Sequence, residues 1–230
     1  MRHAPDAVMI FAAGFGTRMK ELTQDRPKPL IHVAGKPLID HALDLVEAAG
    51  IPNRIANVHY KPDPLITHLK TRDVAISDER DVILETGGGL KKARPLLPDA
   101  PVFTMNSDAI FRGPNPFDAL RATWDPDEMN ALLLLVPVAQ AHGTESDGDF
   151  QIDNSGRLTR GPGFIYSGVQ IINPACVDDV AEDAFSLNIV WNQIAKKGRL
   201  YGIAYDGHWC DVGHPAGIKI AEDLLERTDV

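Results

Sequence analysis

Two basic residues placed behind a pair of glycines point to a polyanion site near the N-terminus. In Phe11-Ala-Ala-Gly-Phe-Gly-Thr-Arg-Met19, Gly14 and Gly16 let backbone N–H groups approach a charged ligand closely, with Ala12, Ala13 and Thr17 completing the turn. Arg18 adds a forked, permanently charged donor suited to phosphate oxygens. Lys28 follows as a mobile point charge clipped between Pro27 and Pro29. A cradle of amides with two cations suits a nucleoside triphosphate. Met19 stands where the dinucleotide fingerprint needs its third glycine, and Gly-Lys-Ser/Thr of the Walker loop is absent.

The elements that must hold these groups follow in order. The apolar run 8–13 reads as a buried strand. Pro37 suits the first position of a helix in which Leu38, Ala42, Leu45 and Ala49 recur at helical spacing before Gly50 ends it. Residues 54–60 read as a strand, 62–71 as a helix and 73–77 as a strand, so the order βαβαβ predicts right-handed crossovers and a parallel sheet. Leu84-Glu-Thr-Gly-Gly-Gly-Leu90 reads as a glycine-rich loop opening a helix near Lys91. Residues 102–105 form a fourth strand ending in Asn106-Ser-Asp108. A carboxylate just past the C-terminal edge of a parallel strand lies where open α/β sheets hold their ligands, which makes Asp108 a candidate metal ligand.

Residues 116–123 read as a helix, and the apolar run 131–136 as a fully buried strand at the sheet's centre. Residues 139–149 read as a polar loop with His142 facing solvent. Residues 150–159 read as a hairpin turning at Asn154-Ser-Gly156. Helices are expected over 174–181 and 186–197, a strand over 200–205, and a last helix from Pro215 to Glu226. The whole chain, 1–230, is expected to form a single Rossmann-like three-layer α/β/α domain around a mostly parallel mixed sheet. Residues 1–110 and 111–230 would form its two halves.

Ala13-Gly-Phe-Gly-Thr-Arg-Met19 followed by Pro27-Lys-Pro-Leu30 resembles the signature of the sugar-1-phosphate nucleotidylyltransferases. The resemblance implies that residues 1–110 form mainly the nucleotide-binding half and 111–230 mainly the sugar-phosphate-binding half, that Thr86, Gly87 and Gly88, with Glu85 beside them, contact the nucleotide base, and that Asn106 belongs to the nucleotide site. It implies that Tyr166-Ser167-Gly168 lies against the sugar. His208-Trp-Cys-Asp-Val-Gly213 resembles the family's Trp-x-Asp-x-Gly-Thr, which makes Asp211 the second metal ligand, with His214 in place of the threonine. Many relatives hold the sugar phosphate with a lysine near residues 150–165, where this chain has none; Arg157 or Arg160 could take that role. The combined motifs resemble the bacterial N-acetylmuramate-1-phosphate uridylyltransferases of cell-wall recycling, and mannose-1-phosphate guanylyltransferases share the first loop and Pro-Lys-Pro. The expected substrates are accordingly UTP and N-acetylmuramate 1-phosphate, with Mg²⁺ held by Asp108 and Asp211. A non-catalytic nucleotide-sugar-binding protein on the same fold is the alternative class.

Composition narrows the classes further. The 230 residues are 44% hydrophobic and carry a net charge of −9, which argues against nucleic-acid or membrane-surface partners. Residues 1–36 nevertheless carry +3 and the remainder −12, so positive charge gathers at the proposed triphosphate loop. No apolar run reaches the roughly 20 residues of a membrane span. Cys176 and Cys210 have no framework or metal-ligand spacing and fit a reduced compartment. A cytoplasmic enzyme, monomeric or homodimeric, is expected.

Overall fold

The computed structural model describes residues 5–227. The first half of the chain lays down β1 (Ala7–Phe11), the short pair β2 (His32–Val33) and β3 (Lys36–Pro37), α1 (Leu38–Ala48), β4 (Asn53–Val58), α2 (Pro62–Lys70), β5 (Ala75–Asp78), α3 (Glu85–Ala93) and β6 (Val102–Asn106). The second half adds β7 (Ala109–Arg112), α4 (Pro116–Thr123), β8 (Ala131–Pro137), β9 (Ala141–His142), β10 (Phe150–Ile152), β11 (Leu158–Arg160) and β12 (Phe164–Ile172). It ends with α5 (Leu187–Lys196), β13 (Leu200–Ala204), β14 (His208–Asp211) and α6 (Pro215–Glu226).

Nine strands form the main sheet, along β11-β10-β12-β6-β1-β4-β5, with β8 on β12 and β13 on β8. The β5-β4-β1-β6 block is parallel throughout. Strand β12 runs against β6 on one side and β8 on the other, while β13 is parallel to β8. Apart from β11 and β12 the strands therefore point one way. The sheet is mostly parallel in direction, as the alternation of strands and helices predicts.

Side chains alternate across the sheet with period two, and both faces are apolar. Val8 and Ile10 of β1 join one core with α1, α2 and α4, whereas Ala7 and Met9 join a second with α3 and α5. Strand β8 divides likewise, Leu132, Leu134 and Val136 against Leu133 and Leu135. It is not the sheet's centre, however: it lies one strand in from β13. Cover on both faces, not centrality, produces its continuous apolar run. A third core beneath the glycine loop joins Met19, Leu38, Cys210, Val212 and Leu224 of α6.

Several local expectations shift. Pro37 caps α1 from a two-residue strand instead of occupying its first turn. Gly50 ends that helix with φ 65°. The stretch after Pro174 makes only a 3-10 turn to Val177. His208-Trp-Cys-Asp211 is a strand, between β7 and β9 in a small separate sheet. His142 is half-buried on β9, its ring stacked on His208 with Nε2 3.1 Å from that ring's Nδ1, so it does not face solvent freely. Among the described residues no helix is long and apolar enough to cross a membrane.

Candidate functional site

The glycine loop leaves β1 at the edge where the parallel strands end. Its first amide is fixed from below: Ala12 N–H donates to Asn57 Oδ1 at 2.8 Å, and Asn57 Nδ2 donates to Glu79 Oε1 at 2.8 Å. Both side chains are buried. Burial pushes the Glu79 carboxyl above its ordinary pKa, against the pull of its bond to Asn57. Neither residue stands out in the sequence as part of a site. The available signal was a polar residue inside the apolar strand Ile55-Ala-Asn-Val58.

Gly16 adopts φ 66°, and a Cβ there would meet Lys28 Cβ at 2.9 Å and Thr23 Cγ2 at 3.0 Å. Its glycine identity thus serves the left-handed turn and the close passage of the lysine stem. Gly14 faces open space. Beyond the loop, 3-10 turns over Thr17–Thr23 bury Met19 in the third core, and that buried anchor occupies the position of the missing glycine.

Lys28 sits on a 3-10 turn, Lys28–Leu30, whose preceding Pro27 is extended. Its side chain is nearly buried, and Nζ lies 2.7 Å from Asp108 Oδ2. Asp108 occupies the tight turn between β6 and β7. Ser107 pins that turn to the end of β1, its Oγ donating to Phe11 O at 2.8 Å. Asp211 is brought alongside by the β7–β14 ladder: Asp211 pairs with Ala109, and Val212 N–H donates to Asp108 O at 2.9 Å. Burial and the Asp108 carboxylate raise the pKa of Asp211, while Lys28, Arg18 and His214 pull it down. Arg18 lies on the far side of Asp211. A Cβ at Gly213 would fall 2.5 Å from Asp211 Oδ2 and 3.0 Å from both Nη atoms of Arg18, so only glycine leaves them this space. His214 caps α6, its Nδ1 accepting from Gly217 N–H at 3.3 Å.

Two cavities open along this edge. The loop cavity, about 230 Å³, is bounded by Ala12, Ala13, Gly14, Lys28, Asn57, Glu79, Glu85, Thr86 and Asp108. The hairpin cavity, about 250 Å³, is bounded by Asp149, Phe150, Arg160, Tyr166, Asn188 and Trp191. Phe11, Thr86 and Asn106 line both. Arg18, Asp211 and His214 line a further cleft with Thr144 and Glu145. Thr17 is exposed and lines none of these.

Four expected ligand residues are turned elsewhere. Gly87 and Gly88 lie inside α3, not in a loop before it, and both amides donate to Phe185 O, at 2.8 and 3.1 Å. A Cβ at Gly87 would strike the Phe185 ring at 2.3 Å, and one at Gly88 would strike Asp183 O at 2.1 Å. These glycines make room for the 183–187 segment. Ser167 is buried in the irregular stretch of β12, its Oγ accepting from Val169 N–H. Gly168, at φ 87°, makes room for Asn106, 2.9 Å from where a Cβ would sit. Glu85 and Thr86 do reach the cavities, Glu85 in a left-handed conformation (φ 59°) that strains a side-chain-bearing residue. Of the two arginines near the hairpin, Arg157 is occupied with Gly198 O, Ser155 and the Tyr201 ring. Arg160 enters the cavity.

Among the described residues no cluster of three or more acidic, histidine or cysteine side chains could enclose a metal. Asp108 and Asp211 form a pair of neighbouring carboxylates whose repulsion Lys28, Arg18 and His214 offset in part, a donor set that suits a cation completed by water and substrate phosphate.

Comparison with known proteins bears on this geometry. The profile of the MobA-like NTP transferase domain matches residues 8–145, more than half of the chain. The N-acetylmuramate alpha-1-phosphate uridylyltransferase of Caulobacter vibrioides is 40% identical, over 98% of this chain and 99% of its own. The mannose-1-phosphate guanyltransferase of Yarrowia lipolytica is 31% identical over 90% of this chain, which spans 60% of that protein. The inositol-1-phosphate CTP transferase of T. maritima shares the fold with a TM-score of 0.79 at 15% identity, each chain covered over 100% of its length.

Proposed function

Because the chain belongs to the MobA-like NTP transferase family, we propose that it transfers the uridylyl group of UTP to N-acetylmuramate 1-phosphate and releases pyrophosphate. The observation that carries this reading is the convergence of Arg18, Lys28, Asp108 and Asp211 beside the glycine loop, from three distant segments of the sequence. The end-to-end match to the uridylyltransferase supports uridine and the muramic sugar over guanosine and mannose.

Both reactants are anions, so the obstacle is their repulsion and alignment, not a difficult proton transfer. A phosphate with second pKa near 6 is largely deprotonated at neutral pH, so the attacking oxygen needs no general base. The open amides of the glycine loop and the guanidinium of Arg18 hold the β- and γ-phosphates that depart as pyrophosphate. Lys28 faces the α-phosphate and offsets the charge that builds there during attack. Thr86 and Asn106, shared by the two cavities, separate the base from the sugar. Asp108 and Asp211 would hold a Mg²⁺, which would supply Lewis acidity and neutralise phosphate charge.

Pyrophosphate release from UTP, GTP, CTP and dTTP, each paired with N-acetylmuramate 1-phosphate and mannose 1-phosphate in the presence of Mg²⁺, tests the reading. UTP with the muramic sugar is expected to dominate. Dominance of GTP with mannose 1-phosphate would replace it with the guanylyl transfer, and silence of every pair would leave a binding protein.

A further inference from the structure

Arg160 is the single cation among the described residues lining the hairpin cavity. No described residue forms an ion pair with it, and the Asp149 carboxylate acts on it only at longer range. Nη2 donates to Asn188 Oδ1 at 2.6 Å, and Nε and Nη2 reach Asn192 Oδ1 at 3.4 Å. The guanidinium carbon lies 4.3 Å from the Phe150 ring centroid and 5.7 Å from that of Trp191. All four partners are neutral. Asp149, the carboxylate in the same cavity, is engaged by Tyr166 N–H at 2.9 Å and makes no ion pair with Arg160. Nη1 makes no hydrogen bond to any described residue. Two rings and two amides thus fix the plane of a guanidinium that keeps donors free, an arrangement suited to a planar, charged acceptor. Partial burial of the cation, which lowers its pKa, adds to the benefit of an anionic partner.

The position of that partner follows from the other charges. Lys28 and Asp108 line the loop cavity, and Arg18 and Asp211 the cleft beyond it. None of the four lines the hairpin cavity. An anion at Arg160 therefore belongs to the part of the sugar 1-phosphate away from the reacting phosphate, contrary to the expectation that Arg160 replaces the lysine at the sugar phosphate. We infer that Arg160 binds a carboxylate carried on the sugar ring and so selects an acidic sugar 1-phosphate over a neutral one. This rests on the proposed transfer to N-acetylmuramate 1-phosphate, whose lactyl ether ends in such a carboxylate.

The test compares kcat/KM for uridylyl transfer to N-acetylmuramate 1-phosphate and to N-acetylglucosamine 1-phosphate, the same sugar without the lactyl ether, in wild type, Arg160→Gln and Arg160→Lys. Arg160→Gln is expected to lower the acidic-to-neutral ratio roughly tenfold or more, the scale of a charge-assisted hydrogen bond, chiefly through KM of the acidic sugar. Arg160→Lys should recover part of the ratio, since it restores charge without the planar fork. A ratio that does not move, or an equal loss on both sugars, overturns the assignment, the latter because it would put Arg160 on the shared phosphate. Wild-type turnover of the muramic sugar separates this failure from that of the function itself: its absence with every nucleotide removes both, whereas its presence with an unmoved ratio removes only Arg160.

Discussion

Lys28 Nζ lies 2.7 Å from Asp108 Oδ2, so the cation proposed to face the α-phosphate neutralises one of the two carboxylates proposed to hold the metal. The pair is largely buried, and each partner keeps the other from being an uncompensated charge. Binding of a metal-bound triphosphate would exchange this contact for two stronger ones, Lys28 to phosphate and Asp108 to the cation.

Lys28→Ala is therefore expected to lower kcat by about 10²–10³, the cost of about 2.7–4 kcal/mol for losing one preorganised donor at developing charge. Far-UV circular dichroism should show the fold retained. Turnover near wild type would remove Lys28 from the chemistry.

Asp211→Asn should separate stability from activity. The substitution removes a buried charge that faces Asp108, so the variant without metal is expected to melt no lower than wild type. Wild type is expected to gain Tm from Mg²⁺ in the presence of UTP; the variant should lose that gain, and about 10²-fold or more in kcat, corresponding to several kcal/mol of metal assistance. Calorimetry with and without Mg²⁺, alongside turnover, checks both halves.

Asn57→Ala leaves Ala12 N–H and Glu79 Oε1 without their partners. At about 1–3 kcal/mol for each buried group left unsatisfied, a loss of about 2–6 kcal/mol in urea unfolding is expected, with a raised KM for UTP because the loop's first amide is released. Unaltered stability and KM would show that the loop holds its shape without this brace.

Glu79 gives the fold a pH dependence of known sign. Its pKa is raised above the ordinary 4.5 in the folded chain, so the native state holds the proton more tightly than the unfolded one. The stability that follows is complete below pH 4.5 and is lost as pH rises through the folded value. The total loss is about 1.4 kcal/mol for every pH unit by which the folded value exceeds the unfolded one. Urea unfolding across that range should show this decline in wild type and a flatter profile in Glu79→Gln. Identical profiles would assign the pH dependence to other groups.

What was legible in the chain was local. Glycine at 14 and 16 and proline at 27 and 29 reflect backbone geometries that few other residues adopt, and strand and helix periods reflect one-sided or two-sided burial. Asp108 was visible because a strand's end is recognisable from the apolar run before it. Glu85 shows where such reading stops, since its left-handed backbone leaves no mark in a residue type that rarely adopts it. The strand His208–Asp211 escaped because its two hydrogen-bonding neighbours, β7 and β9, are short and come from distant segments.

The sequence by itself determined the glycine loop, the βαβ order and the parallel block it requires, because these depend on residues within one turn or one crossover of each other. Only the tertiary structure decided that Lys28 bonds Asp108, that Asn57 and Glu79 carry the loop, that Gly87 and Gly88 yield to Phe185 and that Arg160 lies against rings and amides without an ion pair. Those relationships join residues tens of positions apart. They depend on which strand lies beside which and on where a side chain finds room, and no local spacing encodes either.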